Sequence, residues 1–253
     1  MNFKIKHFVV FVTIILFLSC QKKNYTLTKI DGTQIKLNDS IKNLTSIDSF
    51  IAPYQNRINK ILDSSLAYAP KVITKEEGQY NTTAGNLMAD IIYTQASPIF
   101  NSRTGKEIDF VLLNHGGIRS IISKGNVTAR TAYQVMPFEN AIVVVELNGK
   151  SVRELVSFLI LSGRPHPISG LQVVLNSDDS LQSVNINKKP FDEERTYFVA
   201  TSSYLLNGGD QMNFFKDHLS VTELDYMIRN AMIDYFKKVD TVAPVIDDRF
   251  MKQ

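Results

Sequence analysis

The sequence holds a single cysteine, Cys20. One thiol excludes an intrachain disulfide and a thiolate metal cluster. Histidine is also scarce, at four residues: His7, His115, His166 and His218. None has a second histidine or clustered acids at ligand spacing around it, and catalytic zinc or two-metal sites need several converging ligands. A stand-alone metallohydrolase is therefore not expected, and no metal or cofactor is assigned to this chain. The sequence contains no Gly-x-Ser-x-Gly elbow of a serine hydrolase and no Gly-x-x-x-x-Gly-Lys-Ser/Thr loop of an NTPase. Neither sign of charge is in excess. The formal charge is +3, and setting aside Lys4 and Lys6 of the leader leaves 26 basic against 25 acidic residues. That balance gives no reason to expect a nucleic-acid partner. No repeat, low-complexity segment or convincing linker divides residues 46–253. With 253 residues, 44% of them apolar, the chain has material for one substantial core or two small ones.

Long apolar runs are missing too. The run from Phe8 to Leu18 is about eleven residues, too short to span a bilayer. It follows Lys4 and Lys6, and no acid precedes it, which is the pattern of a secretory signal. Ser19-Cys20 come next. This junction resembles a bacterial lipobox, with Phe17 where Leu is usual, and implies lipidation of Cys20. The expected division is a signal peptide over 1–19, a tether and hairpin over 20–39, and a folded domain over 40–253. The hairpin expectation comes from alternation in Tyr25–Leu37 about Asp31-Gly32. The chain is expected to be exported and held at a membrane of the cell envelope.

Periodicity predicts the remaining elements. A helix runs from Ser46 to about Leu66, with Ile47, Phe50, Ile51, Tyr54, Ile58, Ile61 and Leu62 on one face and Pro70 closing the segment. Lys71–Thr74 reads as a short strand, and Thr83 opens a helix through Tyr93. Asp109–Leu113 is a strand, Thr128–Val135 a short helix stopped by Pro137, and Ala141–Leu147 a valine-rich strand. Ser151–Leu161 is a helix. Leu171–Leu175, Ser183–Ile186 and Tyr197–Thr201 are strands, and a helix from about Leu224 to Val239 ends the fold. Strands and helices intermix without strict βαβ alternation. The expected class is α+β, a single domain with a mixed sheet and flanking helices.

Two short runs about ninety residues apart carry the chemistry. One is Asn114-His115-Gly116-Gly117-Ile118-Arg119, and the other is Tyr204 followed by Asn207-Gly208-Gly209-Asp210. Each is a glycine pair after a predicted strand, and glycine lets backbone turn tightly or approach a ligand closely. Arg119 offers a planar fork suited to phosphate, or forms a structural ion pair. Asp210 accepts from a pair of ribose hydroxyls, or stabilises a turn. Phe138 and Tyr204 sandwich a base, or belong to a core drawn from 25 Phe and Tyr residues. A cation, an anion and flat rings together describe a pocket for a nucleotide.

The order of these blocks is similar to that of the C-terminal, substrate-recognition domain of the 5'-nucleotidase and UDP-sugar hydrolase family. The matching segments are Gly85–Asp90, Asp109–Arg119, Val135–Phe138 with the strand to Asn148-Gly149, and Tyr204–Asp210. The resemblance covers roughly residues 40–250. The resemblance implies that Asn114 lines the nucleoside site and Arg119 binds phosphate. It implies that Phe138 and Tyr204 stack on the base and that Asp210 holds the ribose. Gly116, Gly117, Asn207 and Gly209 stand in the same blocks and are expected to touch the ligand. This sequence departs from the family pattern at three places. His115 stands for a usual Gly, Tyr204 for a usual Phe, and Gln79–Thr83 lacks the usual Arg and Glu. The family's metallophosphoesterase domain, which carries the divalent metals, is expected in a separately encoded partner chain. Two alternatives are an exported nucleoside- or nucleotide-binding protein without a catalytic partner, and a serine esterase with His115-Gly116-Gly117 as its oxyanion loop.

Overall fold

The computed structural model describes residues 2–18, 25–38, 41–42 and 44–253. Cys20, and with it the lipidation expectation, lies outside the described residues. Residues 1–50 and 51–253 form two units. In the first, α1 spans Asn2–Leu18. Residues 25–38 carry no strand, so the expected hairpin is not formed. Tyr25, Leu27 and Ile35 are about four-fifths or more exposed, and a lone two-stranded ribbon with no buried face is marginal in water. A second helix, α2 (Thr45–Leu62), ends short of the expected Leu66. Among the described residues no helix is long and apolar enough to cross a membrane.

The following segment runs β1 (Ser65–Ala69), α3 (Thr83–Thr104), β2 (Phe110–Leu112), β3 (Gly125–Thr128), α4 (Ala129–Val135), β4 (Ala141–Asn148) and α5 (Gly149–Ser162). Then come β5 (Ile168–Ser169), β6 (Leu171–Leu175), β7 (Leu181–Ile186), β8 (Lys189–Pro190), β9 (Thr196–Ser202) and α6 (Ser203–Leu206). The chain closes with β10 (His218–Met227), α7 (Ile228–Phe236) and β11 (Phe250–Lys252). Two expectations are corrected. The proposed strand Lys71–Thr74 reduces to one bridge between Ile73 and Ile122. The proposed helix from Leu224 is strand as far as Met227, because residues 218–227 pair with β4 along the sheet edge.

A five-stranded mixed sheet, ordered β10-β4-β9-β2-β5, organises the fold. Its central strands are buried on both faces, which explains their near-continuous apolar sequence. Ile142 and Val144 of β4 pack into one core with α3 and α7. Val143, Val145 and Leu147 point the other way, into a core with α5 and β6. The helices that cover these faces are set by their ends. Thr82 caps α3 by accepting from the Gly85 N–H, and Gly105 ends it in the left-handed region. Thr128 and Thr131 form a reciprocal capping box at α4. Asn148 accepts from the Ser151 N–H to start α5. A second sheet, β11-β6-β7-β8, and a β1-β3 ribbon complete the fold.

This topology places the loops of interest. Strands β2 and β9 are parallel neighbours, with Phe110 opposite Val199 and Val111 opposite Ala200. The segments that follow them therefore leave from the same end of the sheet. Strand β4 is antiparallel to β9, with Ile142 opposite Ser202. The segment that enters β4, residues 136–140, is thus brought to that same end.

Candidate functional site

After β2 the chain makes one tight turn, His115–Gly117. Asn114 is buried at its start, and its Nδ2 donates to Asp210 Oδ2 at 2.6 Å, across 96 residues of sequence. The turn is packed against that side chain. A Cβ on Gly117 would sit 2.8 Å from Asn114 Oδ1, so only glycine fits there without a shift. The turn's outer side is pinned as well. The His115 N–H donates to His166 Nδ1 at 3.2 Å, and Lys75 Nζ donates to the His115 carbonyl at 3.5 Å. His166 is buried, and burial, followed by the nearby His115, pushes its pKa down to about 4. It is therefore a neutral acceptor at physiological pH. Burial, then Lys75, also lowers the pKa of His115. The sequence shows these two histidines as isolated, yet the fold sets them side by side.

After β9 the short helix α6 carries Tyr204, and Gly208 turns the chain at φ 82°. The Tyr204 ring lies directly over Gly209, where a Cβ would meet it at 2.4 Å. The Tyr204 hydroxyl donates to Asp210 Oδ1 at 3.2 Å and accepts from the Asp210 N–H at 3.3 Å. Asp210 itself has φ 51°, a left-handed conformation for a residue with a side chain. Such strain persists where surrounding contacts over-determine it, and here both its carboxylate oxygens and its N–H are held.

Phe138 stands on the segment between α4 and β4, two-fifths exposed, and Tyr204 is slightly more so. Neither is a core ring. Arg119 is anchored through its backbone N–H to the Val135 carbonyl at 2.9 Å. Its guanidinium lies 5.9 Å from the Phe138 ring centre and 3.4 Å from the Gly116 carbonyl. Among the described residues no carboxylate pairs with it, so the structural ion pair is not formed.

Asn114, Gly116, Gly117, Arg119, Phe138, Tyr204 and Asp210 together line one cavity of about 290 Å³. Sequence reasoning overlooked an eighth lining residue, Asn140, since an asparagine before a strand carries no distinctive signal. Two expected residues stand outside the lining. Asn207 turns back to donate to the Ser203 carbonyl at 3.0 Å, and Gly209 lies beneath the Tyr204 ring. A larger open groove of about 530 Å³ lies beside β6 and β7. Its central cation, Arg249, is already paired with Asp90 and Asp247. Arg119 has no such acidic partner among the described residues.

A family model described as the 5'-nucleotidase C-terminal domain matches residues 65–217. This chain belongs to that family. A cell wall protein of Listeria monocytogenes, Lmo0130, is 27% identical over 210 residues, covering 76% of this chain and 27% of that protein. The silent protein UshA(0) of Salmonella typhimurium is 26% identical over 195 residues, covering 75% of this chain and 34% of that protein. Among solved structures, a 5'-nucleotidase precursor from Thermus thermophilus superposes with a TM-score of 0.67 at 23% identity. The match covers 81% of this chain and 42% of that one. The 5'-nucleotidase C-terminal domain fold thus accounts for most of this chain, while the chain spans less than half the length of these relatives.

No group of three or more His, Cys, Asp or Glu side chains among the described residues is placed to hold a metal ion. His115 and His166 are adjacent, but His166 Nδ1 is taken by a backbone N–H and its Nε2 is buried. These residues do not fit a metal centre. Among the described residues neither histidine is hydrogen-bonded to a serine, the contact on which an esterase reading would draw.

Proposed function

We propose that this chain is the nucleotide-recognition part of a split 5'-nucleotidase. In this reading the base lies between Phe138 and Tyr204, the ribose hydroxyls donate to Asp210, and the phosphate meets Arg119. The observation that carries it is the single cavity formed by these four residues, drawn from three loops at one sheet end. The chemistry of each wall fits. Asp210 accepts one hydrogen bond on each oxygen, from Asn114 and Tyr204, which leaves lone pairs for two ligand hydroxyls. Arg119 presents a fork with no acidic partner among the described residues, suited to bidentate phosphate recognition. Each ring has an accessible face, and stacking on such a face contributes roughly 1–3 kcal/mol per base.

Recognition alone does not cleave a phosphate ester. In metal-assisted hydrolysis the ions supply the nucleophile and absorb charge on the phosphoryl oxygens. The residues here offer binding groups rather than metal ligands, so a separately encoded metallophosphatase chain would supply that part. Export and a lipid anchor at Cys20 would place the pair at a membrane surface. Residues 1–20 and the cell wall location named for the Listeria relative support this placement. Anchoring of this kind needs more than one acyl chain.

The test is AMP hydrolysis with divalent metal, using this chain alone, a metallophosphoesterase chain from the same organism alone, and both together. The mixture is expected to turn over AMP well above either component. Turnover by this chain alone, free of contaminating phosphatase, would overturn the split arrangement. A second reading is a nucleoside-binding protein with no catalytic partner. It draws on one observation: Arg119 is the single cation in the cavity lining among the described residues. Equal affinity for adenosine and AMP would favour it.

A further inference from the structure

Phe138 stands midway along the segment between α4 and β4, whose backbone hydrogen bonds lie at its two ends: the Met136 N–H donates to the Ala132 carbonyl, and the Asn140 carbonyl accepts from the Ile228 N–H. α4 ends at Val135, with Met136 capping it, and β4 begins only at Ala141. Something else must fix the height and tilt of the ring. Behind the segment stands Arg229, the second residue of α7, whose side chain is 6% exposed. One guanidinium nitrogen faces two carbonyls of this segment, Met136 O at 3.5 Å and Phe138 O at 3.4 Å. The other donates to Glu139 Oε1 at 2.5 Å. The guanidinium carbon also lies 4.2 Å from the ring centre of Tyr133 on α4. One buried cation thus faces the carbonyls of Met136 and Phe138, two residues apart, and links this segment to α7 and to Tyr133 of α4. The Arg119 guanidinium lies 5.9 Å from the ring centre, while buried Arg229 faces the backbone at the Phe138 carbonyl.

We propose that Arg229 is the positioning residue for the base-stacking ring of Phe138. The idea rests on the nucleotide reading of the cavity and extends it to a residue that touches no ligand. The planar fork is what the task requires. Two backbone carbonyls and a carboxylate are spread around one side chain, and only a guanidinium reaches several acceptors in fixed directions. A lysine ammonium is a point charge that satisfies part of the set. An apolar residue leaves the carbonyls without donors and frees the segment to move.

The test is a double-mutant cycle on AMP binding to the full chain, measured by calorimetry, with Phe138→Ala and Arg229→Met singly and together. Arg229→Met is expected to weaken AMP about tenfold in the native background and to add little once Phe138 is alanine. Arg229→Lys is expected to fall between. Binding of ribose 5-phosphate, which has no base, should be nearly unchanged by Arg229→Met. Equal weakening of AMP and ribose 5-phosphate, or independent additive effects with Phe138→Ala, would overturn the proposal. If Arg229→Met does not fold, Glu139→Gln removes only the exposed end of the contact and should give a smaller loss confined to base-bearing ligands. Absence of that loss also counts against it. Should Phe138→Ala leave AMP binding intact, the stacking reading itself fails. Should Phe138→Ala weaken binding while Arg229→Met does not, the positioning role alone fails.

Discussion

His166 shows how much a single side chain can contribute from outside the cavity lining. It accepts from the backbone of the His115 turn, and it does so only while neutral. Burial holds its folded-state pKa at about 4, against 6.5 for an ordinary histidine. Between those values the unfolded chain binds the extra proton, so stability rises with pH. The contribution is complete above about pH 6.5 and is lost as pH falls toward 4, on the order of 3 kcal/mol in all. His166→Asn keeps an acceptor near the Nδ1 position and removes the titration. Urea unfolding from pH 7 to pH 4.5 should show a shallower loss of stability in this variant than in the native chain. Parallel curves would contradict the account. Nothing in the sequence marks His166, because its partner is a backbone N–H 51 residues away. The cavity residues were legible for the opposite reason. Arg119, Asp210 and the glycine pairs are concentrated in two short runs whose types already describe a ligand.

Elements were legible where local signals and packing agree. The strand at Leu171–Leu175 and the helices at Thr83 and Gly149 have caps or apolar runs that match their buried faces. They were misread where tertiary pairing overrides the local pattern. Leu224–Met227 looks like the start of a helix, yet the strand continues across an irregularity, with Asp225 at φ 51°, until Met227 pairs again with Ala141 of β4. Tyr25–Leu37 has a good turn signal and no surface to bury against among the described residues, so it stays open. Helix α4 matters to the site through its last residue, since the Val135 carbonyl accepts from Arg119. Its capping box is the device that fixes it. Thr128→Ala is expected to cost about 1 kcal/mol and to lower Tm by about 2–4 °C in calorimetry. An unchanged Tm would show that tertiary packing alone holds the helix.

At the scale of the whole molecule, the candidate site follows from strand order. Sequence distance separates Asn114 from Asp210, but β2 and β9 lie side by side and run the same way. Their following loops therefore meet, and the antiparallel entry to β4 adds Phe138 from the third side. No sequence window contains this arrangement; the residue types of the two runs and the resemblance to a family pointed to it. The central claim is that this meeting place grips one nucleotide. The most direct test is a crystal structure of the chain soaked with AMP. The base is predicted between Phe138 and Tyr204, with the ribose hydroxyls on Asp210 and the phosphate on Arg119. A well-ordered AMP bound elsewhere, with this cavity empty at saturating concentration, would contradict the account.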